Sequence, residues 1–198
     1  METGVTSDGT PYEIRPDKHH RRSIRLKGYD YAQPGAYFVT IVTQDRACLF
    51  GAVADGDMQL SNAGEIAKAT WHELPARIPS LGLDAFVAMP NHIHAIIMVG
   101  AQFIAPSDGF GVTNQGAINH APKLGNIIRA YKAASTRLIR QADAPDFVWQ
   151  RNYYEHVVRV EESLHQIRQY IHDNPSRWEF DRENPATKTP EPEDARRG

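Results

Sequence analysis

The stretch Met89-Pro90-Asn91-His92-Ile93-His94-Ala95-Ile96-Ile97-Met98-Val99 constrains this chain most. Its isoleucines and valine favour a strand, and Pro90-Asn91 favours a tight turn before it. Alternate side chains of a strand share a face, so His92 and His94 leave one side and Ile93 the other. The apolar run Ala95–Val99 marks a buried central strand that opens with a polar pair. Two neutral imidazoles side by side can hold one divalent metal ion. Two ligands do not complete a coordination sphere, and such a pair can equally be a hydrogen-bonded structural feature. A third ligand and a reacting group have to come from elsewhere in the chain.

The 198 residues suffice for one domain with tails, and at 41% hydrophobic they can bury a core. A single cysteine, Cys48, excludes a disulfide framework and a cysteine zinc cluster. The polar N-terminus does not read as a signal peptide, and no stretch reaches the roughly 20 apolar residues of a membrane span. A cytoplasmic protein without membrane partners is expected. The net charge of −2 conceals segregation. Basic residues cluster from Arg15 to Lys27 (Arg21, Arg22, Arg25 and Lys27 among them). A second zone holds Lys123, Arg129, Lys132, Arg137, Arg140, Arg151 and Arg159. Such patches can bind a polyanion even when the totals cancel, although each charge alone also suits an ordinary solvated face.

Residues 1–20 read as a disordered polar and basic arm, 21–181 as one domain, and 182–198 as a disordered tail rich in proline and charge. Within the domain, Ala36 to Thr43 reads as the first core strand, and Gly51 to Leu60 as a loop or small hairpin. A helix begins near Asn62, with Asn62 and Glu65 at capping-box spacing and Ala63, Ile66, Ala67, Thr70, Trp71 and Leu74 as its apolar stripe. Pro75 and Pro79 mark its end. Leu81 to Ala88 forms a hairpin with the histidine strand. Gly100 to Ala121 is a long loop. A second helix runs from Lys123 to Gln141, burying Leu124, Ile127, Ile128, Tyr131 and Leu138 around the small Ser135, with Arg129, Arg137 and Arg140 opposite. Asp146 to Val158 is strand-like. A third helix, Glu161 to Asp173, buries Leu164, Ile167 and Ile171 and stops at Asn174-Pro175. The order fits an α+β fold, an antiparallel sheet with helices packed on it, in a ferredoxin-like or RRM-like layout.

On the third helix Tyr170 and Asn174 are four residues apart and share a face, whereas His172 lies about 200° round from Tyr170. A tyrosine can serve as a covalent nucleophile, but a free pKa near 10 means it needs assistance at neutral pH. A divalent cation held by the two histidines and an amide oxygen could polarise a scissile phosphate. Tyr170 as a packing residue is the alternative.

These motifs together resemble the HUH single-tyrosine transposases. Met89-Pro90-Asn91-His92-Ile93-His94 is similar to that family's metal strand, and Tyr170 with Asn174 to its nucleophile and helix-borne carboxamide ligand. Tyr37 to Thr43, Asn126 to Lys132, Trp149 to His156 and Tyr170 to Pro175 also resemble it, so the likeness spans roughly Arg22 to Phe180. The nearest branch is the REP-associated tyrosine transposases, where Asn at the position of Asn174 replaces the Gln of many insertion-sequence members. The resemblance implies the HUH endonuclease fold and Mg2+ or Mn2+ held by His92, His94 and Asn174. It also implies cleavage and rejoining of single-stranded DNA beside a hairpin through a 5′-phosphotyrosine on Tyr170. Its partners would be a REP-like hairpin and, in some relatives, a second copy, the protein being a monomer or a homodimer at the nucleoid. The DNA would meet Arg21, Arg22, Arg25, Lys27, Lys123, Arg129, Lys132 and Arg151. A domesticated hairpin-binding protein without turnover is the alternative, as is a replication-initiator or relaxase relative; the chain has no phosphate-binding Gly-x-x-x-x-Gly-Lys loop to support the latter.

Overall fold

The computed structural model describes residues 3–5, 11–13, 35–78, 80–100 and 123–187, the first two segments as backbone. Thr3–Val5 (β1) pairs antiparallel with Pro11–Glu13 (β2) inside the expected N-terminal arm. The domain is built on Gly35–Val42 (β3), Leu81–Ala88 (β6), His92–Val99 (β7) and Tyr154–Val158 (β8). They form one antiparallel sheet in the order β6-β7-β3-β8. The histidine strand is central, as its apolar composition requires. The expected strand from Asp146 is shorter: only a single bridge, Thr43 to Trp149, precedes β8.

Gly51–Ala54 (β4) and Asp57–Leu60 (β5) form a separate hairpin. Its turn residues Asp55 and Gly56 both have positive φ, 54° and 83°. Two-residue turns of this hand match the twist of the flanking strands, and a glycine takes the second position without strain. The next helix, Asn62–His72 (α1), is capped one residue earlier than its sequence suggests. The Ser61 hydroxyl accepts from the Gly64 amide at 3.2 Å. Asn62 instead donates to Asp143 at 3.2 Å. Gly64 has to be glycine, because a Cβ there would lie 2.3 Å from the Phe50 carbonyl oxygen. Pro75 does not end this helix. It sits in the first turn of a short successor, Leu74–Arg77 (α2), where its missing amide costs nothing.

Two longer helices, Leu124–Ala142 (α3) and Glu161–Asp173 (α4), lie on opposite faces of the sheet. Alternation along the strands decides which residues each helix meets. Tyr37, Val39 and Ile41 of β3 join Ile93, Ala95, Ile97 and Val99 of β7 beneath α1 and α3. Phe38 and Ile96, one residue out of phase, join Leu164 and Ile171 of α4. On α3 the buried position near the C-terminus is Ile139; Leu138, expected there, is half-buried. Ser135 fits because its hydroxyl donates to the Tyr131 carbonyl (2.8 Å) and accepts from the Trp149 indole (3.0 Å).

The apolar cluster under α4 is small, and an ion pair supplements it. Arg168 of α4 forks onto Asp84 of β6, at 2.9 Å from Nε and 2.7 Å from Nη2. Asp84 lies where the β6–β7 register shifts, between Leu83 and Phe86. A bulge there re-aims the side chain toward the helix. Among the described residues, no helix is long and apolar enough to cross a membrane.

Candidate metal and tyrosine site

The α4 face of the sheet carries His92 and His94, both buried. Their Nε2 atoms lie 3.0 Å apart. Two neutral nitrogens that close are not a hydrogen bond unless one carries a proton, so the tautomers matter. For His92 they can be inferred from its neighbours. Asn91, fully buried, donates its Nδ2 to the carbonyls of Arg46 (3.0 Å) and Glu183 (2.7 Å). Its Oδ1 therefore faces His92 Nδ1 at 2.9 Å and must accept from it. The proton sits on Nδ1, and Nε2 presents a lone pair. His94 Nδ1 is engaged by the Thr40 hydroxyl at 2.8 Å, which leaves its Nε2 facing the same point.

Burial holds the His92 imidazole down to about 4, with Glu183 opposing and Arg182 reinforcing the shift. Burial, then the neighbouring His92, then Arg182 hold His94 well below the ordinary histidine value. Both rings are thus neutral at pH 7, the state a metal ligand needs.

Helix α4 brings Tyr170 over this pair. Its hydroxyl is 3.2 Å from His94 Nε2, and its ring packs edge-on to Phe38 at a centroid distance of 6.0 Å. It is 42% exposed, so one side of the phenol is open to solvent. Burial raises the phenol pKa first, and the Asp181 charge adds to that; the Asn174 amide pulls in the other direction. The phenol is protonated at neutral pH.

Asn174 follows the last turn of α4 and is buried, and its Oδ1 has no hydrogen-bond partner. A buried amide oxygen left unpaired costs about 1–3 kcal/mol, which a ligand can recover. The 3₁₀ helix Pro175–Phe180 then folds the chain back, and Asp181 arrives with Oδ2 3.9 Å from His92 Nε2. His92, His94 and Asp181 form the described group of side chains able to hold a metal ion. Nitrogens about 2.1 Å from a common ion at right angles would lie about 3 Å apart, matching the imidazole pair. The orphaned amide oxygen, the carboxylate and the paired lone pairs fit a divalent cation that prefers nitrogen and oxygen donors.

The structure thus brings His92, His94 and Tyr170 to one point, with Asn174 beside them. Asp181 was not among the residues expected there. Its only sequence signal was an acid a few residues beyond a helix-stopping proline, at the edge of an expected tail. Glu183 and Asn184, which fall within the expected tail, are buried, and Glu183 accepts from Arg46 Nε at 3.0 Å. Of the basic residues expected at DNA, Arg129, Lys132 and Arg151 line one open groove beside α3, whose lining does not include Tyr170. Arg21, Arg22, Arg25 and Lys27 lie outside the described residues. Lys123 is exposed just ahead of α3. Arg129 and Arg151 are exposed on α3 and the loop after it. Lys132 is committed to the fold, donating to the carbonyls of Gln150 and Asn152 at 2.8 and 3.0 Å, and burial lowers its pKa to about 8.

No family model matches the chain. An uncharacterised protein of Haemophilus influenzae is 41% identical over 166 residues, which is 82% of this chain and 92% of that protein. The structure of a REP-associated tyrosine transposase bound to a REP hairpin superposes with a TM-score of 0.52 at 17% identity, covering 81% of this chain and 76% of that one. A candidate transposase from Deinococcus radiodurans R1 gives a TM-score of 0.42 at 20% identity, over 75% and 95% of the two chains. The first of these structures establishes the fold, in agreement with the α+β arrangement expected from the sequence.

Proposed function

We propose, for a chain that belongs to one family with the Haemophilus influenzae protein and has the fold of the REP-associated tyrosine transposase, that it cleaves and rejoins single-stranded DNA next to a hairpin. The reading is that of an HUH-type tyrosine transposase acting on DNA in the cytoplasm. One observation carries it: within a single chain, the Tyr170 hydroxyl lies 3.2 Å from His94 Nε2, which is itself 3.0 Å from His92 Nε2.

His92, His94 and Asn174 would hold Mg2+ or Mn2+, with Asp181 close enough to complete or replace one of them. When bound, such a cation supplies Lewis acidity at a phosphate oxygen and at the departing sugar oxygen. The protein's own groups do the rest. Asn91 and Thr40 fix the two rings so that their lone pairs converge. Phe38 packs edge-on against the Tyr170 ring and limits its tilt. The Tyr170 oxygen forms the new bond to phosphorus and gives its proton to solvent at its exposed edge. The bond from phosphorus to the sugar 3′ oxygen breaks, and that oxygen takes a proton from solvent and leaves as a hydroxyl. The product is a 5′-phosphotyrosine, whose reversal by another 3′ hydroxyl rejoins DNA.

The test is a labelled hairpin oligonucleotide with a single-stranded flank, incubated with the protein and Mn2+. A protein–DNA species that survives denaturing electrophoresis is expected, and EDTA should abolish it. Retained hairpin binding with no such species under any divalent cation would instead identify a hairpin-binding protein without turnover.

A further inference from the structure

Arg182 lies beside the tyrosine and the imidazoles without being a candidate ligand. It follows Asp181, which is in extended backbone (φ −69°, ψ 132°), where successive side chains diverge. Asp181 turns to His92 of β7. Arg182 turns to Tyr154 of β8, its guanidinium carbon 5.7 Å from the centroid of that ring. Strand β3 lies between β7 and β8 in the sheet.

The strand register fixes what Arg182 overlooks. Thr40 of β3 pairs with His94 on one side and with Tyr154 on the other, so the three side chains form one row on one face. Neighbouring strands are about 4.8 Å apart, which sets the ends of this row about 10 Å from each other. The Tyr170 hydroxyl stands over the His94 end, and the Arg182 guanidinium over the Tyr154 end. Phe38 lies among them, its ring centroid 5.4 Å from His94, 6.0 Å from Tyr170 and 6.2 Å from Tyr154. Buried Thr40 and Phe38 make a floor with a phenol at one end and a cation at the other.

That cation is not neutralised by its surroundings. Arg182 donates from Nε to Glu183 Oε1 at 3.2 Å, and Arg46 takes the other oxygen of the same carboxylate at 3.0 Å. One carboxylate serves two guanidiniums, so one positive charge is left over. The Arg182 side chain is 75% exposed, and its terminal nitrogens make no hydrogen bond among the described residues. Its field reaches the whole site. Burial dominates the shift of each imidazole and of the Tyr170 phenol; the Arg182 charge helps to depress both imidazoles and draws the phenol down. A cation placed here repels any metal ion that the imidazoles would hold. An anion lying between the two removes that conflict, and a guanidinium fork matches phosphate oxygens.

We propose that Arg182 is a catalytic residue of strand cleavage, its terminal nitrogens holding a non-bridging oxygen of the scissile phosphate and stabilising the charge that gathers there as Tyr170 attacks. The assignment rests on the strand-cleavage reading and adds a residue to its chemistry. Arg182 stays protonated throughout, so it contributes charge and moves no proton. The bonds made and broken are the ones given above.

Single-turnover formation of the covalent adduct by the full chain, at saturating Mn2+ and flanked hairpin, tests it. Arg182→Ala should slow the step about 100- to 1,000-fold, the usual loss for one preorganised donor at a developing charge. Arg182→Lys should recover part of that rate, because a point charge replaces the fork. Mn2+ affinity without DNA should be unchanged or tighter in Arg182→Ala, since a repelling charge has gone; a residue that merely supported the site would weaken it. Phosphorothioate diastereomers at the scissile phosphate locate the contact. The loss from Arg182→Ala should shrink at least about fivefold for one isomer and persist for the other. Arg177→Ala, an exposed arginine of the 3₁₀ helix, should change none of these. Melting curves establish that each variant is folded. A rate within about threefold of wild type overturns the assignment. So does an equal loss for both isomers, which would move Arg182 to another phosphate of the strand, and so does a loss matched by weakened Mn2+ binding. A wild-type protein that forms no adduct with any divalent cation sinks the cleavage reading and this assignment together. An active wild type equalled by its Arg182→Ala variant sinks the assignment alone.

Discussion

The two faces of the sheet are made by the same strands and differ completely in chemistry. Beneath α1 and α3 lies a dry core of Ile93, Ala95 and Ile97 with Trp71, Tyr131 and Trp149, the last three in ring contact at 5.0 and 5.7 Å. Beneath α4 the next residues along β7 are His92 and His94, and among the described residues the apolar cluster there has six buried members. A period of two separates them, so stability is concentrated on one face and polar groups are assembled on the other. Changes on the α3 face should therefore alter folding, and changes on the α4 face should alter metal binding and chemistry.

The largest effect belongs to the core. Trp71→Ala should destabilise the protein by about 3–5 kcal/mol in urea unfolding, since a fully buried indole leaves a cavity. A loss under 1 kcal/mol would mean that this face does not carry the fold. Next comes the metal pair. His92→Ala with His94→Ala should weaken Mn2+ binding at least about 100-fold by calorimetry, because both imidazole ligands go. Asn91→Ala should weaken it about 10- to 100-fold, the usual cost of losing a partner that orients a ligand. If Mn2+ affinity is unchanged in the Asn91 variant, the inferred His92 tautomer is wrong.

The smallest effect tests how α4 is held. Arg168 hydrogen-bonds to Asp84 and holds its carboxyl below the usual carboxylate value, so this contribution is full above the unfolded pKa near 4 and is lost as pH falls through the lowered native value. Both side chains are partly exposed, so screening limits the pair to about 0.5–1 kcal/mol. Arg168→Ala should cost that much at pH 7 and progressively less as the pH is lowered below about 4 in thermal unfolding. A cost that does not change with pH would assign the loss to packing.

Much of this was legible in the chain because it is local. Alternation around His92-Ile93-His94 gave the face, and the spacing of Tyr170 and Asn174 gave one side of a helix. The strands β3 and β7 and the helices α3 and α4 follow their apolar periods to within a residue or two. What escaped depends on contacts between distant residues. Asp181 reaches His92 only because the chain doubles back after Pro175, and Asn91 bonds Glu183 across 92 positions. Asp84 finds Arg168 through a strand irregularity that no period reveals. Ser61 displaced Asn62 as the helix cap because the two offer the same chemistry one residue apart, and tertiary packing chose between them.

The claim that everything else serves is that one cation sits where both imidazoles, the Asn174 amide and the Tyr170 phenol converge. Crystals soaked in Mn2+ and measured at the manganese edge test it directly. The account predicts a single strong anomalous peak within ligand distance of His92 Nε2 and His94 Nε2, with Asn174 Oδ1 or an Asp181 oxygen as the next donor. A peak elsewhere, or none at a Mn2+ concentration that saturates binding in solution, would contradict it.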